Sequence, residues 1–303
     1  MVLMLLFSLI SSQVYKLSEK HIGKKMDKGA MKLYTTFVKG DSIEYWDNSR
    51  DKPVIVLVHG FGASTKYQWF KQVEWLSKNY RIIMPNLLHF GNTRPGAPKY
   101  KVSDQVEMVE SLIDHLNIDK YTLCGVSYGG LISMELAVKF PLRVERLIAF
   151  DAPVKYIHKS DVENVKERFD VASIEELFAP NDERGLKKLM YLATSKKIIF
   201  PASWMREFYN ELYAVNLEDK RKLITELING LEEYASHDYP LEMPVLLIWG
   251  SNDPVVPSER SQLLQEHIGE NAKCVVIKNG GHMPNLTKTK IFDKVIKDFL
   301  LIN

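Results

Sequence analysis

The hexapeptide Gly125-Val126-Ser127-Tyr128-Gly129-Gly130 constrains this chain more than any other stretch. The apolar run Tyr121-Thr122-Leu123-Cys124 leads into it, and the amphipathic stretch Leu131 to Val138 leads out. That order reads strand, tight turn, helix, with Gly-x-Ser-x-Gly at the turn. A serine on such a turn holds its hydroxyl clear of its own backbone, and flanking glycines let neighbours approach where a side chain would clash. The Tyr128 N–H then lies at a helix N-terminus, where charge developing on an oxygen is stabilised. Taken alone, the pattern also fits a Gly-rich turn that happens to contain serine. The rest of the chain has to supply a base, an acid and a second donor.

The surroundings read as alternating strands and helices. Lys32 to Val38 and Ser42 to Trp46, around Lys39-Gly40-Asp41, form a hairpin pattern. Val54 to Val58 is a continuous apolar run, which suits a strand buried on both faces. Helical periodicity follows through Trp69, Val73 and Leu76, then a strand from Tyr80 to Met84, then a helix capped by Ser103 or Asp104. Val144 to Phe150 is the next strand. From Val154 to Tyr239 only helical patterns occur, with Ser173-Ile174-Glu175-Glu176 as a capping box. Strands return at Val245 to Trp249 and Lys273 to Ile277, each followed by a helix. This alternation predicts an α/β fold with a mostly parallel sheet and helices on both faces. The expected division is residues 1–31 as an N-terminal segment and linker, 32–153 with 240–303 as the core, and 154–239 as an inserted helical cap.

Composition removes several function classes. A net charge of +2 with dispersed lysines argues against nucleic-acid binding. There is no His-Glu-x-x-His, no phosphate loop ending in Gly-Lys-Ser/Thr and no Gly-x-Gly-x-x-Gly, so no metal, nucleotide or dinucleotide cofactor is indicated. Cys124 and Cys274 both lie in apolar runs and read as small buried hydrophobes. Val2 to Ile10 is apolar apart from Ser8 and too short to span a bilayer, which needs roughly 20 residues. Its length suits a signal-peptide core. Export or membrane attachment is therefore favoured over a cytoplasmic location, the alternative being a start at Met26 or Met31. Residues 16–30, rich in Lys and Gly, read as a linker.

Attack on an acyl carbon needs a nucleophile, a base, a group orienting the base, and donors for the oxyanion. Ser127 is the candidate nucleophile. His282, in Asn279-Gly280-Gly281-His282-Met283-Pro284, is the candidate base, because it follows a strand where doubly wound sheets place their sites. Asp253, in Gly250-Ser251-Asn252-Asp253-Pro254, is the candidate acid, with Asp151 as its rival. A turn-forming role is the competing reading of Asp253. His59-Gly60-Phe61-Gly62 ends the Val54–Val58 run and offers the Phe61 N–H as second oxyanion donor beside Tyr128. His59 itself reads as a structural brace. Trp204, Phe208 and Met283 are candidate pocket residues, Trp204 and Phe208 also being read as packing. Lys196-Lys197 before Ile198-Ile199-Phe200 offers a membrane-surface contact, with a solvated turn as the default.

The order Ser, Asp, His, preceded by His-Gly-Phe-Gly and interrupted by a helical insertion, resembles the α/β-hydrolase superfamily over residues 32–303. Within it, the chain looks most like the monoacylglycerol lipase and esterase type. The resemblance implies a serine hydrolase of carboxylic esters, acting through an acyl-enzyme on small-molecule or lipid substrates under a lid. Other acyl or carbon–carbon hydrolysis with the same triad, and a catalytically silent receptor, remain alternatives. One departure stands out. Relatives commonly carry Asp-x-x-Gly-x-Gly after the fourth strand, whereas this chain has Asn86-Leu87-Leu88-His89-Phe90-Gly91.

Overall fold

The computed structural model describes residues 2–62, 64–196 and 202–301, with side chains from Tyr15 onward except at 202 and 203. Eight strands form one sheet: β1 (Lys32–Val38), β2 (Asp41–Asp47), β3 (Val54–Val58), β4 (Arg81–Pro85), β5 (Tyr121–Val126), β6 (Val144–Phe150), β7 (Val245–Gly250) and β8 (Ala272–Ile277). Their order across the sheet is β1-β2-β4-β3-β5-β6-β7-β8. Only β2 runs against its neighbours, and β3 to β8 are parallel. The architecture is the expected α/β one.

Side-chain alternation explains why the central strands are apolar throughout. Val56 and Val58 of β3 point into one core with Leu123 of β5, Leu147 of β6 and Leu247 of β7. Ile55 and Leu57 point into the other, with Cys124, Ile148 and Ile248. A strand with helices on both faces has no solvent side, so period-2 alternation moves residues between two dry layers. Cys124 is fully packed there, and Cys274 is partly buried on β8.

The N-terminus departs from expectation. Residues 16–28 are not a linker but part of a helix, Val2–Lys28. Ile22 and Met26, one turn apart, pack into the core with Trp69 and Val73. Glu19 accepts from Lys66 Nζ at 2.7 Å and Tyr67 Oη at 2.5 Å, and Lys25 pairs with Glu74 at 2.7 Å. The apolar i, i+4 pair and the facing charges outweigh the helix-weakening Gly23. Among the described residues no helix is long and apolar enough to cross a membrane.

Smaller differences lie at helix starts. The helix after β4 begins at Val102 with Lys101 as its cap, and Asp104 is its third residue, accepting from the Lys101 N–H at 2.9 Å. The Trp69–Leu76 pattern forms two short helices, Thr65–Trp69 and Val73–Leu76. Between β6 and β7 the described chain is helical: Lys159–Phe169, Ile174–Phe178, Glu183–Thr194, Ala202–Phe208, a π-helical turn Tyr209–Tyr213, Leu217–Asn229 and Leu231–Ser236. Ser173 caps the second of these, its Oγ accepting from the Glu176 N–H at 3.2 Å. Lys197 to Phe200, part of the stretch that offered a membrane-surface contact against a default of solvated turn, lie outside the described residues.

Candidate active site

Ser127 stands between β5 and the helix Tyr128–Lys139 with φ of 52° and ψ of −121°. A non-glycine residue rarely adopts this backbone, and such strain is kept only where the surroundings impose it. Here the Ser127 N–H donates to the Phe150 carbonyl at 2.9 Å, and its own carbonyl accepts from the Leu131 N–H at 3.0 Å. The flanking glycines are required by contact. A Cβ on Gly129 would collide with the carbonyls of Val58 and His59, and one on Gly125 with the carbonyl of Gly129.

The structure brings Ser127, His282 and Asp253 together. His282 Nε2 lies 2.9 Å from Ser127 Oγ, and its Nδ1 lies 2.9 Å from Asp253 Oδ2. A carboxylate only accepts, so Nδ1 carries the proton and Nε2 is free to accept from the serine hydroxyl. The second Asp253 oxygen accepts from the N–H groups of Val255 at 2.8 Å and Val256 at 3.2 Å. The turn chemistry of Asn252-Asp253-Pro254 and the carboxylate's contact with His282 therefore coexist in one residue. The two loops are joined through their backbones, with Asn252 N–H donating to the Gly280 carbonyl at 2.8 Å and Ser251 N–H to the Ile277 carbonyl at 3.0 Å.

Asp151, the rival acid, is fully buried beside Asp253 and makes no hydrogen bond to His282 among the described residues. Its Oδ1 accepts from the Gly250 N–H at 2.9 Å, and its other oxygen meets no donor among the described residues. Burial, reinforced by the Asp253 charge, pushes its pKa well above the ordinary carboxylate range, which favours the neutral acid.

The N–H groups of Phe61 and Tyr128 meet no acceptor among the described residues. Both residues border the cavity beside Ser127. The loop that carries Phe61 is fixed from behind. Gln68 brackets Gly60, accepting from its N–H at 2.8 Å and donating to its carbonyl at 3.3 Å. His59 is buried, its Nε2 accepting from the Leu87 N–H at 2.9 Å and its Nδ1 donating to the Gly60 carbonyl at 2.7 Å. Desolvation lowers its pKa to about 4, so the ring is neutral near pH 7.

Ser127 opens on a cavity of about 610 Å³, its mouth included. Its walls are apolar side chains such as Ile157, Val162, Phe178, Leu227 and Val256. Among the described lining residues, only Ser127, Tyr128 and Asp161 have polar side chains.

Residues 53–289 match the family described as alpha/beta hydrolase fold. The chain belongs to the α/β-hydrolase family. Carbamate hydrolase RutD, as assigned in Escherichia coli, is 25% identical over 256 residues, covering 81% of this chain and 90% of RutD. Among solved structures, a membrane phospholipase A, described as a bacterial virulence factor, superposes with a TM-score of 0.80 at 21% identity, covering 98% of this chain and 96% of that one. A protein assigned as a lipase from Acinetobacter baumannii AYE gives 0.81 at 20% identity, covering 93% and 95%.

This α/β hydrolase corrects the pocket expected from sequence. Trp204, Phe208 and Met283 do not line the cavity at Ser127. Trp204 stacks on Phe208 with centroids 4.8 Å apart, and Phe208 meets Tyr67 edge-on at 6.0 Å. Their helix packs against the N-terminal helix, which includes the stretch expected to be a linker. Met283 is buried in the second core, its N–H donating to the Ala193 carbonyl at 2.9 Å. The missed lining residues include Val162 and Val165 on Lys159–Phe169 and Ile224, Leu227 and Ile228 on Leu217–Asn229. Their i, i+3, i+4 spacing was a visible signal, one shared with ordinary core packing.

The altered loop after β4 also has a physical reason. Asn86 donates its amide to Glu44 Oε1 at 2.6 Å and accepts from the Thr65 N–H at 2.8 Å. An aspartate there would set two carboxylates side by side. Asn92 donates to the other Glu44 oxygen at 2.6 Å. His89 takes the position of a glycine with φ of 71°. Its ring stacks on Tyr100 at 4.9 Å, and its Nε2 lies 2.8 Å from the Lys99 carbonyl.

Proposed function

We propose that this protein is a serine hydrolase of neutral carboxylic esters with a medium or long acyl chain, of the esterase or monoacylglycerol-lipase type. The observation that carries the reading is the Ser127–His282–Asp253 hydrogen-bonded chain at the edge of an apolar cavity. Ser127 Oγ attacks the ester carbonyl while His282 Nε2 takes its proton. The imidazolium is stabilised by Asp253 and returns the proton to the leaving alcohol. The Phe61 and Tyr128 N–H groups hold the oxyanion, and loss of one such donor typically costs about 2.7–4 kcal/mol of barrier. Water activated by His282 then releases the acid.

The family and the relatives' names support hydrolysis as the reaction class. The cavity supports the substrate class. No Lys or Arg lines it among the described residues, so a substrate carrying a carboxylate meets no counter-charge there, and Asp161 is part of the wall. A small polar carbamate would leave most of the apolar lining unfilled. An acyl chain fills it, in keeping with the largely apolar character of such pockets. The helices between β6 and β7 supply most of that lining and act as the lid.

The test is hydrolysis of a 4-nitrophenyl ester series from acetate to palmitate by the wild type and by Ser127→Ala. Turnover that peaks at medium or long chains and falls by about 10⁴-fold or more in the variant is the expected result. A peak at acetate would overturn the acyl-chain part. Folded wild-type protein without turnover on any ester would overturn the ester reading as a whole.

A further inference from the structure

A second space lies beside the cavity, separated from it by one layer of side chains. It is an open polar groove lined by Asn164, Arg168, Asn252 and Ser258 among others. Three residues border both spaces: Asp161 and Val165 from the helix Lys159–Phe169, and Val255 from the loop that carries Asp253. Asp161 and Val165 are one helical turn apart on the buried face of that helix. Val255 is half-buried and lines both spaces.

The wall is held by polar bonds on its outer side. Asp161 accepts from Arg260 Nη2 at 3.3 and 3.4 Å and from the His158 N–H at 2.9 Å. Its charge is thereby answered away from the apolar side. Arg168 Nη1 donates to the Pro254 carbonyl at 3.4 Å, tying the helix to the Asp253 loop. Of the three residues that border both spaces, only the two valines are apolar, and their short branched side chains form the apolar part of the wall between cavity and groove.

We infer that Val165 and Val255, braced by the Asp161–Arg260 pair, form a gate that limits the acyl chain length accepted at Ser127. The inference rests on the ester reading above for its chemistry, and on the shared lining for its geometry. Truncating the valines joins cavity and groove, so a longer chain threads through while its carbonyl stays at Ser127. The Asp253 loop keeps its backbone and its contact with His282.

The experiment compares wild type, Val255→Ala and Val165→Ala/Val255→Ala on 4-nitrophenyl octanoate, laurate and palmitate. The double variant is expected to raise the palmitate-to-octanoate ratio of kcat/KM by about tenfold, and the single variant to move it in the same direction. In parallel, the Ser127→Ala protein, with and without the valine truncations, is titrated with octanol, decanol, dodecanol and tetradecanol, and binding is read as thermal stabilisation. The chain length binding best is expected to increase when the valines are cut. This second readout needs no turnover, so it judges the gate even if the ester reading fails. An unchanged length profile in Val255→Ala, whose half-exposed position spares the fold, would overturn the gate. So would a uniform loss across all lengths in both variants.

Discussion

The loop after β3 and the loop after β8 each hold a buried histidine at the same end of the sheet, and the two rings are partnered in opposite ways. His59 bonds only to backbone, accepting from the Leu87 N–H and donating to the Gly60 carbonyl. His282 bonds only to side chains, Ser127 on one nitrogen and Asp253 on the other. A backbone N–H cannot yield its proton or turn away, so protonating His59 at Nε2 would set donor against donor. Protonating His282 produces a cation beside a carboxylate. The first ring is a strut and the second, in the proposed reaction, a proton carrier, and the distinction lies in the partners rather than in burial, which both share.

The widest separation should appear between the two aspartates that flank β7's end. Asp253→Asn removes the charge that fixes the His282 tautomer, and kcat is expected to fall by about 10⁴-fold, as in other triads. Asp151→Asn keeps an acceptor for the Gly250 N–H and replaces a carboxyl whose pKa burial raises, favouring its neutral form, so its kcat should stay within about tenfold of wild type. The measurement is kcat on the best ester of the series, with folding checked by thermal melting. Equal losses in the two variants would mean that both acids orient the base and would remove the contrast.

The strut makes its own prediction in stability rather than rate. His59 has its pKa depressed from 6.5 to about 4 by burial. Its neutral form is favoured in the folded state, so its contribution is complete above pH 6.5 and is lost as pH falls toward 4. At about 1.4 kcal/mol per pH unit, this one ring accounts for up to about 3 kcal/mol of acid destabilisation. His59→Gln should be less stable than wild type at pH 7 and show a shallower loss between pH 7 and pH 4.5, read by urea unfolding. Parallel pH slopes for the two proteins would show that His59 is not the titrating strut.

What the sequence revealed follows the same division between backbone-imposed and packing-imposed order. The elbow, the two post-strand loops and the His59 brace were legible because close backbone approach demands glycine at Gly125 and Gly129 and because chemistry demands particular side chains. The central sheet was legible because strands dry on both faces must be apolar throughout. The N-terminal helix was not. Its Lys- and Gly-rich stretch becomes helical only through tertiary contacts such as Ile22 and Met26 in the core and Lys25 with Glu74. The cavity was misplaced for the same reason. Val165 and Trp204 are both apolar residues at helical spacing, and only the packing of the helices decides which of them faces Ser127.

The smallest expected effect concerns a third histidine, His89, which mixes the two patterns. Its Nε2 lies 2.8 Å from the Lys99 carbonyl, while its Nδ1 faces Asp219 of the helix Leu217–Asn229 at 3.7 Å. Its backbone is left-handed at φ of 71°, and its carbonyl accepts from Asn216 Nδ2 at 3.1 Å. The ring's contacts with Tyr100 and Lys99 must offset the strain of a side chain at a position that glycine occupies freely. His89→Ala loses the contacts and keeps the strain. His89→Gly loses the contacts and the strain together. The alanine variant should therefore be the less stable by about 0.4–1 kcal/mol, with glycine closer to wild type, in matched urea unfolding curves. Should alanine prove the more stable, the backbone there would be unstrained, and the histidine would stand in the glycine position for its ring alone, as His282 stands in its loop.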